Sequence, residues 1–279
     1  MNSENIKKIV KHINLLVDEN PLEYLQKNST WFSEKLVLST HKDGYPYIKP
    51  YHNNFFFDAT ISRFIKDVGL KFIVNKDMSD SVKDIKLIST WIIKTWGGIK
   101  GIKDSTIGGI VENINSGIYP FENISSWSKV HSFKNIDTDI IYDSKVIYSI
   151  NWLILQLQSN EHKFFYQPMG RNRKLTTFPI DSLVNYKYSD LIDMKKKGEG
   201  ATRNVYYAKS QVYTKYKDII HLINKELWGN ESIDLSKING KIIYMKDYPF
   251  FTELLLFNMA DDVIFRDVRN KVAIKIIGA

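Results

Sequence analysis

The chain has 279 residues, no cysteine and a formal net charge of +8, with 43% hydrophobic and 13% aromatic content. That length and composition suit a globular protein of one or two domains with a sizeable core. Lack of cysteine excludes disulfides, thiolate metal sites and a cysteine nucleophile, no stretch approaches the ~18 to 20 apolar residues that span a bilayer, and the basic excess favours a polyanionic partner.

The opening MNSENIKKIVKHINLLVDEN carries charge throughout and has no apolar region of the kind a secretion signal needs. With cysteine absent, we expect a cytoplasmic protein. Ile6, Ile9, Val10, Ile13 and Val17 recur at helical spacing and predict an amphipathic helix over 3–18. Pro21 opens a second short helical piece. In LVLSTHKDGYPYIKPY the Asp43-Gly44 turn signal and the alternation after it predict a small hairpin. Phe55, Phe56 and Phe57 suit a core better than a base-stacking surface. We therefore divide the chain into an N-terminal helical and small β extension, 1–85, packed on a helical core, 86–279.

The core begins with DSVKDIKLISTWIIKTWGG. It predicts a helix with Val82, Ile85, Ile88, Trp91, Ile92 and Trp96 on one side, ended by Gly97-Gly98. Another helix is expected from a cap at Asp104 or Ser105 through Ile107, Ile110, Val111 and Ile114. ISSWSKVHSFK reads as a short helix capped by Ser125 or Ser126. Trp127, Val130 and Phe133 fit its buried face, and Lys129 lies in its first turn. After FKNIDTDIIY a longer helix carries Val146, Ile147, Ile150, Leu153, Ile154 and Leu157 as one apolar stripe, with Asp143 directly before it.

The C-terminal part holds two basic loops and two helices. GRNRK, with Arg171, Arg173 and Lys174, is either a solvated loop or a set of phosphate contacts that position DNA without reading sequence. MKKKGEGATRN adds Lys195 to Lys197 and Arg203. One helix places Val212, Tyr216, Ile219, Ile220 and Ile223 inward. Another runs from near Pro249 through Leu254, Leu255, Leu256 and Met259 to Asp261 and Asp262, which read as a solvated helix end. The sequence has no phosphate-binding glycine loop, no dinucleotide fingerprint and no spaced histidine cluster, so neither cofactor nor metal is expected.

Lys129 and Asp143 are the residues able to do chemistry together. Each has an ordinary alternative. Lys129 suits a solvated face, and Asp143 suits a helix cap worth ~0.5–2 kcal/mol. As a pair they suit cleavage of an N-glycosidic bond. A lysine amine attacks a sugar C1′ only when neutral, which calls for a partly desolvated site. A carboxylate at a helix N-terminus stays ionised, and can activate the nucleophile or stabilise a cationic sugar.

SWSKV and YDSKV resemble two segments of the helix-hairpin-helix DNA glycosylases, in particular the 8-oxoguanine glycosylase-like branch. The resemblance covers ISSWSKVHSFKNIDTDIIYDSKVIYSINWLILQL. It implies a mainly α, two-lobed body in which Lys129 and Asp143 are catalytic and Ser128 and Lys145 contact DNA. The family's hairpin glycines are absent from ISSWS, so the hairpin is degenerate, and the lysine-to-aspartate spacing is shorter than in well-known members. By the same resemblance Trp96, Trp127, Phe251 and Glu253 are expected to plug the duplex or to line the pocket of a flipped base.

The expected function is a monomeric DNA glycosylase acting on double-stranded DNA. Its base would be an 8-oxoguanine-like lesion or a hypermodified phage base such as glucosylated hydroxymethylcytosine, the latter in antiviral defence. With Lys129 as nucleophile the enzyme also nicks the strand; with water as nucleophile it leaves an abasic site. The alternatives are a non-catalytic DNA-binding protein using the same basic loops and a helical protein–protein adaptor.

Overall fold

In a computed structural model the described residues are 1–28, 86, 89–114, 116–118, 120–135, 137–157, 162–168, 170, 172–188, 205–234 and 242–272. They form a mainly helical body. The predicted hairpin at 36–51, the phenylalanine triplet, Arg171 and the basic loop with Arg203 lie outside the described residues.

Helix α1 (Ser3–Val17) buries Ile6, Ile9, Val10, Ile13 and Val17, the same five positions that the apolar spacing selects. Asn2 caps it by accepting from the Asn5 N–H at 2.9 Å. α2 (Pro21–Asn28) follows and buries Tyr24 and Leu25. A π-helical turn (Trp91–Trp96) ends at Gly97. α3 (Asp104–Glu112) starts after Lys103 without a side-chain cap; Asp104 instead pairs with Lys94 at 2.6 Å. α4 (Ile124–Lys134) and α5 (Ser144–Leu155) come next.

Residues 146–155 of α5 are buried all round, so this helix is the centre of the core rather than an amphipathic wall. That is why its sequence is apolar on more than one face. α6 (Arg173–Thr177) and α7 (Ile180–Lys187) lead to α8 (Val212–Trp228), which packs on α1. A two-stranded antiparallel pairing of β1 (Ser232–Asp234) with β2 (Ile242–Tyr244) follows, outside the expected helical pattern. The C-terminal helical run consists of α9 (Phe250–Met259), a π-helical turn (Ala260–Ile264) and α10 (Phe265–Lys271). α9 packs on both α5 and α8. Among the described residues no helix is long and apolar enough to cross a membrane, and no group of acidic or histidine side chains could hold a metal ion.

Two polar networks tie these helices together. Asn224 on α8 donates to the Met245 and Lys246 carbonyls at 3.0 and 2.8 Å and accepts from Thr252 at 2.8 Å; Thr252 in turn accepts from the Trp228 indole at 3.0 Å. Asn151 on α5 both donates to Phe165 O and accepts from Phe165 N–H, at 2.7 and 2.9 Å. Each buried amide is satisfied on both its nitrogen and its oxygen, which is the condition for burying it without a large penalty.

Asp267 on α10 gathers the Trp152 indole at 2.8 Å, Lys271 at 3.0 Å and His12 of α1 at 3.5 Å. Burial, and then the nearby Lys271 ammonium, hold the His12 imidazole below its ordinary value. The fold therefore favours neutral His12, and on acidification the unfolded chain takes up that proton first. This contribution is present above ~6.5 and is lost as pH falls through the lower folded value. Thermal melts taken from about pH 8 down to about pH 5 are expected to show a decline that His12→Gln reduces. An identical decline in that variant would refute this assignment.

Candidate active site

The connection between α4 and α5 sets the geometry. After a turn closed by the Asp139 N–H on the Asn135 carbonyl at 2.7 Å, Ile140, Ile141 and Tyr142 pass through the core. No strand among the described residues pairs with this segment, and its backbone groups are met by side chains. Tyr213 and Tyr216 of α8 donate to the Ile140 and Ile141 carbonyls at 2.9 and 2.8 Å. Glu253 of α9 accepts from the Ile141 N–H at 2.8 Å. Ser128 of α4 accepts from the Tyr142 N–H at 3.0 Å, and Ser125 donates to the Tyr142 carbonyl at 3.1 Å. Burial, reinforced by the Glu253 carboxylate, pushes the Tyr216 hydroxyl well up, so it remains a neutral donor.

This clamp delivers Asp143 to the N-terminus of α5. One carboxylate oxygen caps the helix, accepting from the Lys145 N–H at 2.8 Å. The other lies 4.0 Å from Lys129 Nζ. Asp143 thus makes the predicted cap and faces the lysine at once, because its two oxygens do separate things.

Lys129 is not a surface lysine. α4 begins at Ile124 after Asn123, which has a left-handed φ of 57° and makes no side-chain cap bond. Lys129 therefore falls in the second turn rather than the first, and neither Ser125 nor Ser126 is the cap. The residue is only 6% exposed and its Nζ donates to the Ser125 carbonyl at 2.9 Å. Gly97 makes room for it: a Cβ there would sit 2.7 Å from Lys129 Cδ and 2.8 and 2.9 Å from the Ile93 and Ile92 carbonyls. Gly170 in turn lies against the first residue of α5, where a Cβ would sit 2.5 Å from Ser144 Oγ.

Gly97→Ala is expected to displace the lysine stem and strain the π-helical turn, at a cost of about 1–3 kcal/mol as for other overpacked sites. Thermal melting measures the strain. A melt unchanged from the parent would show that the lysine has slack.

Several expected contacts take other roles. Ser128 is fully buried and Glu253 only 4% exposed, and both hold the segment before Asp143. Phe251 is fully buried beside Trp228 and Phe250, because α9 turns its first residues into the core. Trp127 is 3% exposed, donates to the Pro120 carbonyl at 2.7 Å and meets Tyr213 edge-on at 4.5 Å. Ser128, Glu253 and Phe251 are thus taken up by the core, while Trp127 also lines a cavity with Ile110, Pro120 and His131. Trp96 ends the π-helical turn immediately before Gly97.

The basic residues divide. Arg173 and Lys174 are exposed in the first turn of α6, a short helix where a loop was expected, with Asn172 as its cap. Lys145 is instead paired with Asp261 and lies 4.4 Å from the Phe257 ring centre. Asn172 also donates to the Asp261 carboxylate, and Lys174 Nζ donates to its carbonyl at 3.3 Å. Asp261 is therefore a hub joining α5, α6 and the C-terminal run, not a solvated helix end.

No family model, no curated protein and no solved structure matches the chain. What the site can do is therefore read from its own geometry.

Proposed function

We propose that the chain is a DNA glycosylase, a mainly α, two-lobed body with a degenerate helix-hairpin-helix, that flips a damaged or hypermodified base out of double-stranded DNA and cuts its N-glycosidic bond. The observation that carries this reading is a buried lysine amine 4.0 Å from the carboxylate of a helix N-cap. Buried lysines are uncommon without a task, and this one sits in a niche that a single added carbon at Gly97 would close.

In the proposed reaction the Asp143 carboxylate stabilises positive charge as it grows on the sugar. Lys129 loses a proton, through Asp143 or solvent, and its lone pair attacks C1′. The C1′–N bond breaks, its electrons leave with the base, and the base takes up a proton. Sugar ring opening converts the C1′ adduct to an iminium, and loss of a C2′ proton then expels the 3′ phosphate and nicks the strand. The base taken is an 8-oxoguanine-like lesion or a phage base such as glucosylated hydroxymethylcytosine. The second choice would make the chain an antiviral factor.

A non-catalytic DNA-binding protein is favoured by one observation: the Asp143 cap bond to Lys145 N–H accounts for that carboxylate structurally. A base-release assay separates the two readings. Duplexes holding 8-oxoguanine, uracil, alkylated bases or glucosylated hydroxymethylcytosine would be incubated with and without alkali, and with borohydride. Cleavage without alkali, with a trapped covalent complex, is the expected result. Binding to every duplex without release from any would overturn the glycosylase reading.

A further inference from the structure

An aromatic cluster beside the Lys129–Asp143 pair has no part in the chemistry just described. Residues 164–166 and 205–207 run side by side, with the Phe164 N–H donating to Val205 O at 2.8 Å and the Tyr207 N–H to Phe164 O at 3.0 Å. This short parallel bridge lays the Tyr166 ring on the Tyr206 ring, centroids 4.7 Å apart and planes 15° from parallel. Phe121, from the turn before α4, meets Tyr166 edge-on at 5.5 Å. The Tyr206 hydroxyl donates to Asp181 at 3.1 Å, which fixes that ring.

The cluster is tied to both neighbours of Asp143. Tyr142 donates its hydroxyl to the Tyr166 carbonyl at 2.7 Å, and Gln167 donates to the Ser144 carbonyl at 3.4 Å. Phe165, one residue earlier, is fully buried and stacks on Tyr207 at 5.1 Å as part of the core. Tyr166, Tyr206 and Phe121 are instead half-buried, and the exposed Lys209 holds its ammonium 5.0 Å from the Phe121 ring centre and 5.9 Å from that of Tyr166. The cluster therefore has a solvent side, and a cation stands on it.

We propose that Phe121, Tyr166, Tyr206 and Lys209 form a stacking subsite for an unpaired nucleobase flanking the reacting nucleotide, with Lys209 on the adjoining phosphate. The inference rests on the reading of the Lys129–Asp143 pair as a DNA-cleaving site. A flat, preassembled ring pair accepts any base, because every base has a π-face, and little side-chain freedom is lost on binding. An apolar peptide side chain would satisfy the rings but give the ammonium no partner. A nucleotide satisfies both.

The test uses the full chain and a duplex carrying one bulged 2-aminopurine, followed by anisotropy and by 2-aminopurine emission. The parent is expected to bind and to quench the emission through stacking. Tyr166→Ala should bind about 5- to 100-fold more weakly, as base–aromatic stacking implies, and leave the probe bright. Tyr166→Phe keeps the ring and should behave as the parent. Lys209→Ala should reduce the salt dependence by about one phosphate contact. Tyr186→Ala, on an 83% exposed residue of α7, is the control expected to change nothing. A folded Tyr166→Ala that binds and quenches like the parent overturns the subsite, even where base release is intact. Quenching that depends on Tyr166, in a protein that releases no base from any duplex, supports the subsite and overturns the glycosylase reading alone. No binding at low salt overturns both.

Discussion

Asp143→Asn is expected to lower base release by about a thousandfold, the upper end of what one preorganised electrostatic partner supplies, while leaving DNA binding and folding close to the parent. The two outcomes separate because the two carboxylate oxygens have separate tasks. Asparagine caps a helix about as well as aspartate, so the bond to the Lys145 N–H at 2.8 Å has a replacement. The negative charge 4.0 Å from Lys129 has none. Melting should therefore move by no more than about 2–4 °C, the size expected for roughly 1 kcal/mol in a chain of this length. Single-turnover release and a thermal melt on one preparation check both. Retained release would remove Asp143 from the mechanism; a collapse in melting would make it structural.

Lys129→Met is expected to abolish the borohydride-trapped complex completely. Methionine fills most of the volume beneath Gly97 and carries no amine. The bond lost to the Ser125 carbonyl is worth about 1 kcal/mol net, and burial of the thioether offsets part of it. The variant should therefore fold. Gel analysis after borohydride treatment reads the covalent species, and base release with alkali reads the remaining chemistry. Release that persists without trapping would assign the attack to water and leave Asp143 as the essential group. A trapped species that persists would place the nucleophile on another lysine.

Much of the helical order was legible because it follows from apolar spacing. The five buried positions of α1, the start at Pro21, the Asp143 cap and the inward face of α8 all depend on contacts a few residues apart along one helix. Capping at Ser125 and Asp104 was misplaced, since those side chains are drawn to Tyr142 O and Lys94 by tertiary geometry. Tyr216 falls on the inward stripe of α8, but the bonds made by Ser128, Glu253, Tyr213 and Tyr216 carry no periodic signal. Each is a polar side chain aimed at backbone far away in sequence, and Glu253 could as readily have faced solvent. Asp261 was misread for the same reason: its partners Lys145, Asn172 and Lys174 come from other elements. Gly97 was visible as a helix end, but not as the wall of a lysine niche.

Lys129 and Asp143 are near neighbours in sequence, yet the segment that aligns them is anchored from 73, 75 and 112 residues away, by Tyr213, Tyr216 and Glu253. Closing such loops is entropically costly and comes late in folding. A chain still emerging from the ribosome therefore holds Lys129 and Asp143 long before it can align them. The Ile141 amide, bonded to the Glu253 side chain of α9 rather than within a helix or sheet, should exchange with solvent only when that C-terminal helix detaches. The alignment of Lys129 with Asp143 is thus a property of the finished molecule, and loosening α8 or α9 would undo it with both residues unchanged.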